Sequence, residues 1–485
     1  MEPKQTRFDY LYQNLKEQIC TGYLPFGTSL PSIHRLSETY NVGIRTVRDV
    51  LNKLKKEGFI QTEERKTAVV SYKHADQPSI TFQNILGQKD SIIAVFKTMA
   101  LLMPQIFALS AQVCNEENFQ LGLQVYGHAN KDSVKGRWQA SSVFLHELLD
   151  ASGNLLFRDM YGSLDIASRI TYFLDHSDAF SCLSENFQPK HSNWVANALQ
   201  NRNPEIIMAN FRSMYSKVTC SIIQHLDKLS HIYPTPPNIA PPLYRWTAER
   251  GKNHYYSQIT RDLINQIGIG AYDDGSFLPS EAQLAEKYNV SVSTIRKALA
   301  QLNELGFAQT YNVKGTKVIR TDDQAALNGI KKDRYKKDTL VYLSGLQLMA
   351  IAVHPAAELA FDSLDIKNLQ EQYRESAEIP LNHLITAIIS HTPLQPLSTI
   401  LQEVNKILIW GYYYSFYSKN SQSTNRLTLM SKKALKFLEQ NNREGFSKQV
   451  SLCYCHILKV VRDFIAGCGL LEAAGIISPD FLYKN

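Results

Sequence analysis

Apolar residues recur at helical spacing in two places along the chain, one near its start and one near its middle. Each series places its apolar residues on one face of a helix and leaves polar residues on the opposite face. The first series is Phe8, Leu11, Leu15 and Ile19, and the second is Tyr256, Ile259, Leu263 and Ile267. Both patterns predict an amphipathic helix that begins a larger module.

The segment that follows each helix is one motif used twice. Leu30–Thr62 aligns with Leu278–Thr310 without a gap, at a shift of 248 residues. About half of the paired positions are identical, which is a strong internal repeat. The repeat predicts two helix-turn-helix modules in one polypeptide, an arrangement that many DNA-binding proteins reach by dimerising.

Cap residues mark a short second helix in each copy. Ser32 and Ser280 are predicted N-caps, because a serine hydroxyl can accept a hydrogen bond from a free backbone N–H of the first turn. Gln283 completes a capping box with Ser280. Asn41 and Asn289 end this helix, since asparagine tolerates the left-handed conformation that a tight turn requires.

The third helix of each copy buries one stripe and leaves the start of the helix polar. The predicted stripe is Val47, Val50, Leu51 and Leu54 in the first copy, and Ile295, Ala298, Leu299 and Leu302 in the second. Hydroxyls and arginines at the start of such a helix can reach phosphates and base edges in the major groove of DNA. This helix is therefore the predicted recognition helix.

A glycine, Gly58 or Gly306, ends the third helix, and a predicted strand then leads into a hairpin wing. The second wing turns at Asn312–Gly315, where a lysine and a glycine can approach the minor groove. In the first wing Glu63–Lys66 replaces that turn, and its acidic side chains would approach phosphates unfavourably. We expect the two modules to bind DNA unequally, and contact between the first wing and DNA stays open.

The side chains expected to contact double-stranded DNA combine the second helix, the recognition helix and the wing. They are Ser32, Arg35, Arg45, Thr46, Arg48 and Lys66 in the first copy, and Ser280, Gln283, Ser291, Ser293, Thr294, Arg296, Lys314 and Gly315 in the second.

Each copy contains the same motifs in the same order: a turn glycine, Leu-Pro-Ser, Asn-Val, Thr-Val/Ile-Arg and Gly-Phe. This order resembles the winged helix of the GntR family of bacterial transcription regulators. The resemblance covers residues from about 8 to 72 and from about 255 to 320. It implies a DNA contact for Arg48 and Arg296, which match the family's arginine. Ile44 and Val292 stand where family members often carry another arginine, so the preferred DNA sequence does not carry over.

Helical periodicity dominates the rest of the chain and predicts two all-helical bundle domains. The stretch Phe144–Asn154 weakly resembles the effector-binding helical domain of the FadR branch of the family. Many members of that branch bind a metal through one Asp and three His. Here Ser141, Leu145 and Met214 occupy the acid and two of the histidine positions, so we expect no metal and no cofactor. His146 lies one residue out of register, which leaves a structural or pocket-lining role as the alternative to a metal ligand.

Composition agrees with a globular protein of several domains. The 485 residues are 44% hydrophobic, and the formal charge of +7 is mild for that length, which suggests local basic patches. The seven dispersed cysteines favour reduced thiols and a cytoplasmic location. Two apolar stretches, Ile92–Val113 and Leu340–Phe361, are interrupted by charges and prolines and are expected to be buried helices rather than membrane spans.

We therefore predict a mainly α protein in which two winged helix-turn-helix domains alternate with two helical bundles as an internal pseudo-dimer. The predicted boundaries are residues 1–74 (head 1), 75–232 (helical region 1), 233–243 (a Pro-rich linker), 244–322 (head 2) and 323–485 (helical region 2). The linker's prolines favour an extended run of on the order of 34 Å, close to one turn of DNA.

The predicted function is a non-enzymatic transcription regulator, a fused GntR-like dimer that binds an imperfect palindrome. No nucleophile with a base, phosphate-binding glycine loop or metal set is present in the sequence pattern. A small-molecule effector of unknown binding residues and pairing of two fused chains both stay open. The alternatives are a plasmid-type replication initiator with two winged helices and an architectural or docking protein.

Overall fold

The computed structural model describes residues 6–20, 23–40, 42–63, 66–72, 78–128, 134–175, 194–233, 243–248, 254–268, 271–319, 333–375, 380–408 and 421–483. Within these residues the protein is mainly helical and has two small antiparallel sheets. The predicted fold class is confirmed, with winged-helix modules at two positions and helical regions between and after them. The central part of the Pro-rich linker and Asn41 lie outside the described residues.

Head 1 contains three helices and a two-stranded hairpin. They are α1 (Arg7–Cys20), α2 (Ile33–Tyr40), α3 (Ile44–Lys56), β1 (Ile60–Gln61) and β2 (Val69–Val70). The apolar face of α1 packs against the apolar stripe of α3, and α2 closes the remaining side.

Helical region 1 follows, and its described helices enclose an apolar interior. They are α4 (Pro78–Leu86), α5 (Lys89–Val113), α6 (Glu116–His128), α7 (Val134–Ala151), α8 (Phe157–Ala167), α9 (Ile170–Asp175), α10 (Trp194–Gln200) and α11 (Pro204–Ile232).

Head 2 repeats the order of elements found in head 1. Its elements are α12 (Tyr255–Gly268), α13 (Glu281–Tyr288), α14 (Val292–Glu304), β3 (Ala308–Tyr311) and β4 (Gly315–Val318). The wing is longer than in head 1, because four residue pairs join β3 to β4 whereas two pairs join β1 to β2.

Helical region 2 completes the chain. Its described helices are α15 (Asp333–Ala360), α16 (Ile366–Glu375), α17 (Pro380–His391), α18 (Gln395–Leu408), α19 (Ser421–Glu439) and α20 (Arg443–Gly467), and short 3-10 turns accompany them.

The internal repeat extends to individual backbone pairs. Ser29 bridges Val69 in head 1, and Phe277 bridges Lys317 in head 2, which is the same pairing at the same shift. The predicted left-handed turn is present at Asn289, where φ is 51° and ψ is 52°. The predicted apolar stripes of both recognition helices are buried. Two heads of one architecture therefore follow from local sequence signals.

The two helical regions are built alike and share an interface. The first and last long helices pack along each other in each region, α5 with α11 and α15 with α20. Helix α5 also contacts α15 and α18 across the interface. There the buried Asn154 amide donates to the Ser344 carbonyl at 3.0 Å and to Gln347 Oε1 at 2.8 Å. The interface is thus apolar with satisfied polar groups inside it.

Two helices of the described chain, Lys89–Val113 and Lys336–Ser363, are long and apolar enough to cross a membrane by length and composition alone. In the structure, 72% and 83% of their most apolar windows are buried inside the protein. Their packing as the central helices of the two regions accounts for this apolar composition.

The segment Leu243–Ala248 lies between the two helical regions. The Tyr244 hydroxyl is 2.6 Å from Ser163 Oγ, while the backbone N–H and carbonyl of Tyr244 both bond to the Gln395 amide at 3.0 Å. Trp246 is buried and donates from Nε1 to Asp159 Oδ2 at 3.0 Å. The sequence prediction assigned Leu243 to the linker and Tyr244–Ala248 to head 2. In the structure, Tyr244 and Trp246 bond to the helical regions and tie the start of head 2 to them.

Head 1 also contacts the Asp159 carboxylate. The Tyr10 hydroxyl of α1 donates to Asp159 Oδ1 at 2.6 Å, so one carboxylate accepts hydrogen bonds from head 1 and from the segment that precedes head 2. Glu17 of α1 faces Arg169 and Arg245; burial raises the pKa of Glu17 and the two guanidinium groups counteract the rise. These polar contacts matter for head 1, whose apolar core is a cluster of its own, whereas the core of head 2 continues into the helical regions.

We predict that Asp159→Ala loosens both attachments. Loss of both hydrogen bonds leaves partly buried donors on Tyr10 and Trp246 and lowers the free energy of unfolding by about 1–3 kcal/mol. Hydrogen exchange should then rise in α1 and in residues 243–248, and denaturant unfolding measures the energy. Tyr10→Phe removes only the hydrogen bond from head 1, and Trp246→Phe removes only the one from residues 243–248. Comparison of their free energies of unfolding with that of Asp159→Ala gives the contribution of each bond. Exchange unchanged from the wild type in both segments would contradict the prediction.

Candidate nucleic-acid interface

The recognition helices present their polar faces outwards. In α3, Arg45 and Arg48 are exposed and Thr46 is half-buried. In α14, Ser291, Ser293 and Arg296 are exposed, and Thr294 is half-buried. The main partners of each recognition helix are the other elements of its own head. Both predicted faces are therefore open to a large ligand.

The start of α14 is held together by hydroxyl groups. Ser291 caps the helix, because its Oγ accepts from the Thr294 backbone N–H at 3.3 Å. The same Oγ lies 2.9 Å from Ser293 Oγ and 2.9 Å from Thr294 Oγ1. Gly43 takes the place of the capping serine in head 1 and offers no side-chain cap. The same helix end is thus rigid and neutral in head 2 and uncapped in head 1.

The matching arginines of the two heads differ in their partners. Arg296 donates from Nε to Glu281 Oε2 at 2.7 Å, a contact between α14 and the first residue of α13. The residue equivalent to Glu281 in head 1 is Ile33. Arg48 makes no hydrogen bond or ion pair within the part of the chain that the structure describes. Sequence reasoning found both arginines but missed the glutamate that holds one of them.

The predicted contacts in the second helices also serve as caps. The Ser280 backbone N–H donates to Gln283 Oε1 at 2.9 Å, and the Gln283 backbone N–H donates to Ser280 Oγ at 3.3 Å, so the predicted capping box is confirmed. In head 1, Ser32 Oγ accepts from the Arg35 backbone N–H at 3.2 Å. The Arg35 side chain is exposed. A DNA-contacting role for these four residues stays a prediction.

The wings differ as much as the helices do. Lys66 of the first wing pairs with Glu63 at 2.7 Å. In the second wing Lys314 is exposed and Gly315 has a φ of 97°. Val313 is fully exposed at the tip and has a φ of 69°, which is rare for a β-branched residue. Sequence reasoning located this turn but missed Val313, since no propensity places valine in the left-handed region.

Helical region 1 contains a half-buried histidine and a buried aspartate whose pKa values depart from their ordinary ranges. His146 Nδ1 lies 2.8 Å from the Ser142 carbonyl oxygen, its ring is 4.9 Å from that of Tyr161, and burial lowers the pKa of His146 to about 4. Asp165 is also buried, and this burial raises the pKa of Asp165 to about 7. Its Oδ1 has no hydrogen-bond partner among the described residues. No motif in the sequence marks Asp165.

The described residues contain no group of three His, Cys, Asp or Glu side chains arranged to hold a metal ion. His146 packs against an aromatic ring and a carbonyl, which fits the structural role that the sequence left open for it. The six cysteines within the described residues, Cys20, Cys114, Cys220, Cys453, Cys455 and Cys468, are free.

Comparison with known proteins places both heads in one family of domains. The model of the "Bacterial regulatory proteins, gntR family" matches residues 9–70 and 255–318, which run from α1 to β2 and from α12 to β4. The Uxu operon regulator of Haemophilus influenzae is 26% identical over 127 residues, 26% of this chain and 47% of that protein. The Exu regulon transcriptional regulator of Escherichia coli (strain K12) is 29% identical over 123 residues, 24% of this chain and 48% of that protein.

The chain thus spans about half the length of the curated relatives it matches. A solved structure, Streptococcus agalactiae GntR, aligns with 44% of this chain and 99% of that chain at 18% identity and a TM-score of 0.22. The two matched stretches coincide with the two heads.

We predict that the buried Asp165 carboxyl makes stability depend on pH. Its pKa is raised in the folded state, so its contribution is complete below the unfolded value near 3.8 and is lost as the pH rises through about 7. Asp165→Asn is neutral at every pH and should reduce the loss of thermal stability between about pH 4 and pH 7. Thermal unfolding at several pH values measures this difference. The exposed Asp90→Asn is the control, and equal pH profiles of Asp165→Asn and the wild type would contradict the prediction.

Proposed function

We propose that this chain, which contains two GntR-family winged-helix domains, is a bacterial transcription regulator that binds double-stranded DNA with both domains at once. The observation that carries the proposal is the exposure of two in-register recognition faces on one polypeptide, each framed by its own wing. The named relatives are regulators of an operon or a regulon, and control of an operon is the role we propose for this chain.

The proposed target is an imperfect palindrome. Two related but different recognition helices require two related but different half-sites, and covalent fusion raises the effective concentration of the second head once the first has bound. The attachment of head 1 and of the segment before head 2 to the same Asp159 carboxylate supports a defined spacing between the heads.

We propose a cytoplasmic protein without catalytic activity, metal or cofactor. In the proposal, helical regions 1 and 2 provide the body on which the heads sit, with the predicted boundaries except that residues 244–248 belong to this body. We also propose that a small molecule regulates DNA binding by binding between the helices of these regions, because pockets between helices commonly hold such ligands. The residues that would bind it are unknown, and two fused chains can pair further.

Selection of bound fragments from genomic DNA, followed by sequencing, tests the proposal. The expected result is two unequal half-sites whose centres lie about one helical turn apart. Two similar half-sites at random spacing, or no enriched sequence, would count against it.

Substitution of the matched arginines provides the second test. We predict that Arg48→Ala and Arg296→Ala each weaken binding to the selected duplex by about 1–3 kcal/mol, since each removes a charged contact with DNA. Fluorescence anisotropy with the full-length protein measures the affinity. Lys436→Ala in helical region 2 removes the same charge outside the heads and should leave binding unchanged. Full specific binding by the double arginine variant would overturn the assignment.

A further inference from the structure

The second and third helices of the two heads differ in charge although they share one architecture. Helices α2 and α3 carry six Lys or Arg and two Asp or Glu, a formal charge of +4, while α13 and α14 carry three of each, a formal charge of zero. Affinity for the DNA backbone grows with the number of phosphates that cations neutralise, because counterions are released. The second and third helices of head 1 therefore offer more cations to DNA phosphates than those of head 2, whereas the wings differ in the opposite sense, with Glu63 in the first and Lys314 in the second.

The ion pair of head 2 changes what its arginine can do. Glu281 neutralises Arg296 and orients the guanidinium through Nε, and the remaining N–H donors stay available. An arginine that is paired with a carboxylate contributes less to counterion release than an unpaired one, yet its remaining donors can make a directed two-point contact with a guanine. Arg48 has no such partner among the described residues and keeps both its charge and its freedom to move.

The residues at the start of the two recognition helices also differ, with hydroxyl groups in head 2 and an additional cation in head 1. In head 2 three bonded hydroxyls, those of Ser291, Ser293 and Thr294, stand at the start of the recognition helix. Hydroxyls can bond to base edges without releasing counterions. In head 1 the positions of the two serines hold Gly43 and Arg45, so this head lacks the hydroxyl cap and carries an additional cation.

From these differences we infer that the heads divide the work of recognition. Head 1 anchors the protein to the DNA backbone through charge, and head 2 discriminates between sequences with Arg296 positioned by Glu281. The inference rests on the proposed function. Glu281 acts through Arg296, so it is a positioning residue for base recognition and need not contact DNA itself.

The salt dependence of binding separates the two roles. The test uses the full-length protein, a duplex with the selected half-sites and a shuffled duplex of the same composition. Arg45→Ala with Arg48→Ala should weaken binding to both duplexes by similar factors and reduce the slope of log K against log salt by about 0.9 for each phosphate that the variant no longer neutralises. Arg296→Ala made together with Glu281→Ala removes the ion pair as a unit and leaves no unpaired carboxylate, so this double variant should leave the slope almost unchanged and reduce the preference for the selected duplex by about tenfold or more.

Variants of the ion pair test the role of Glu281 directly. Glu281→Gln frees the charge of Arg296, so binding to the shuffled duplex should tighten, the slope should steepen by about 0.9, and the preference for the selected duplex should fall. Ile33→Glu installs the same pair beside Arg48 and should reduce the slope of head 1 by a similar amount. Ile33→Gln is its matched control, because Ile33 packs against the core of head 1 and both variants lose that packing.

The outcomes distinguish this inference from the proposed function. Equal changes in slope and in preference for the arginine variants of both heads would overturn the division of work and leave a regulator with two equivalent heads. An unchanged preference in Glu281→Gln would overturn the role of Glu281 alone. Unchanged binding in every variant would reject the DNA-binding faces and, with them, the proposed function.

Discussion

The carboxylate of Asp159 and the segment Leu243–Ala248, in which Tyr244, Trp246 and Ala248 are buried, determine how the two heads are held. Apolar burial holds head 2 to the body, whereas head 1 has a separate core and relies on a few polar contacts at this junction. A partly buried carboxylate with two donors is a directional attachment, and removal of either side leaves an unpaired polar group. The orientation of head 1 is therefore more sensitive to local change than that of head 2.

The architecture of the heads was predictable because its signals are local. Helical periodicity, a serine cap with a glutamine three residues later and an asparagine in the left-handed turn each act within a few residues, and Ser280, Gln283 and Asn289 adopt the predicted roles. The buried helices α5 and α15 were also foreseen, since charges and prolines interrupt their apolar runs. These features depend on the identity of neighbours in the sequence, which a single chain displays in full.

The features that sequence reasoning missed all depend on residues far apart in the chain or on strain. Asp159 bonds to side chains 149 and 87 residues away, and Glu281 reaches Arg296 across the turn between two helices. Asp165 has no sequence motif; only burial makes its carboxyl unusual. Val313 occupies a backbone conformation that its own propensity opposes, so the surrounding hairpin must stabilise it.

The presence of both copies in one chain allows the two heads to differ. In a symmetric homodimer one gene encodes both heads, so every substitution appears twice and the two recognition faces stay identical. In a single chain each copy changes alone. Head 1 then has Ile33 at the position of Glu281, so Arg296 has an ion pair and Arg48 has none among the described residues. A charge difference can also develop between helices of the same shape. The shared architecture is kept by packing, which constrains the buried stripes of both copies equally, whereas the exposed faces carry no such constraint.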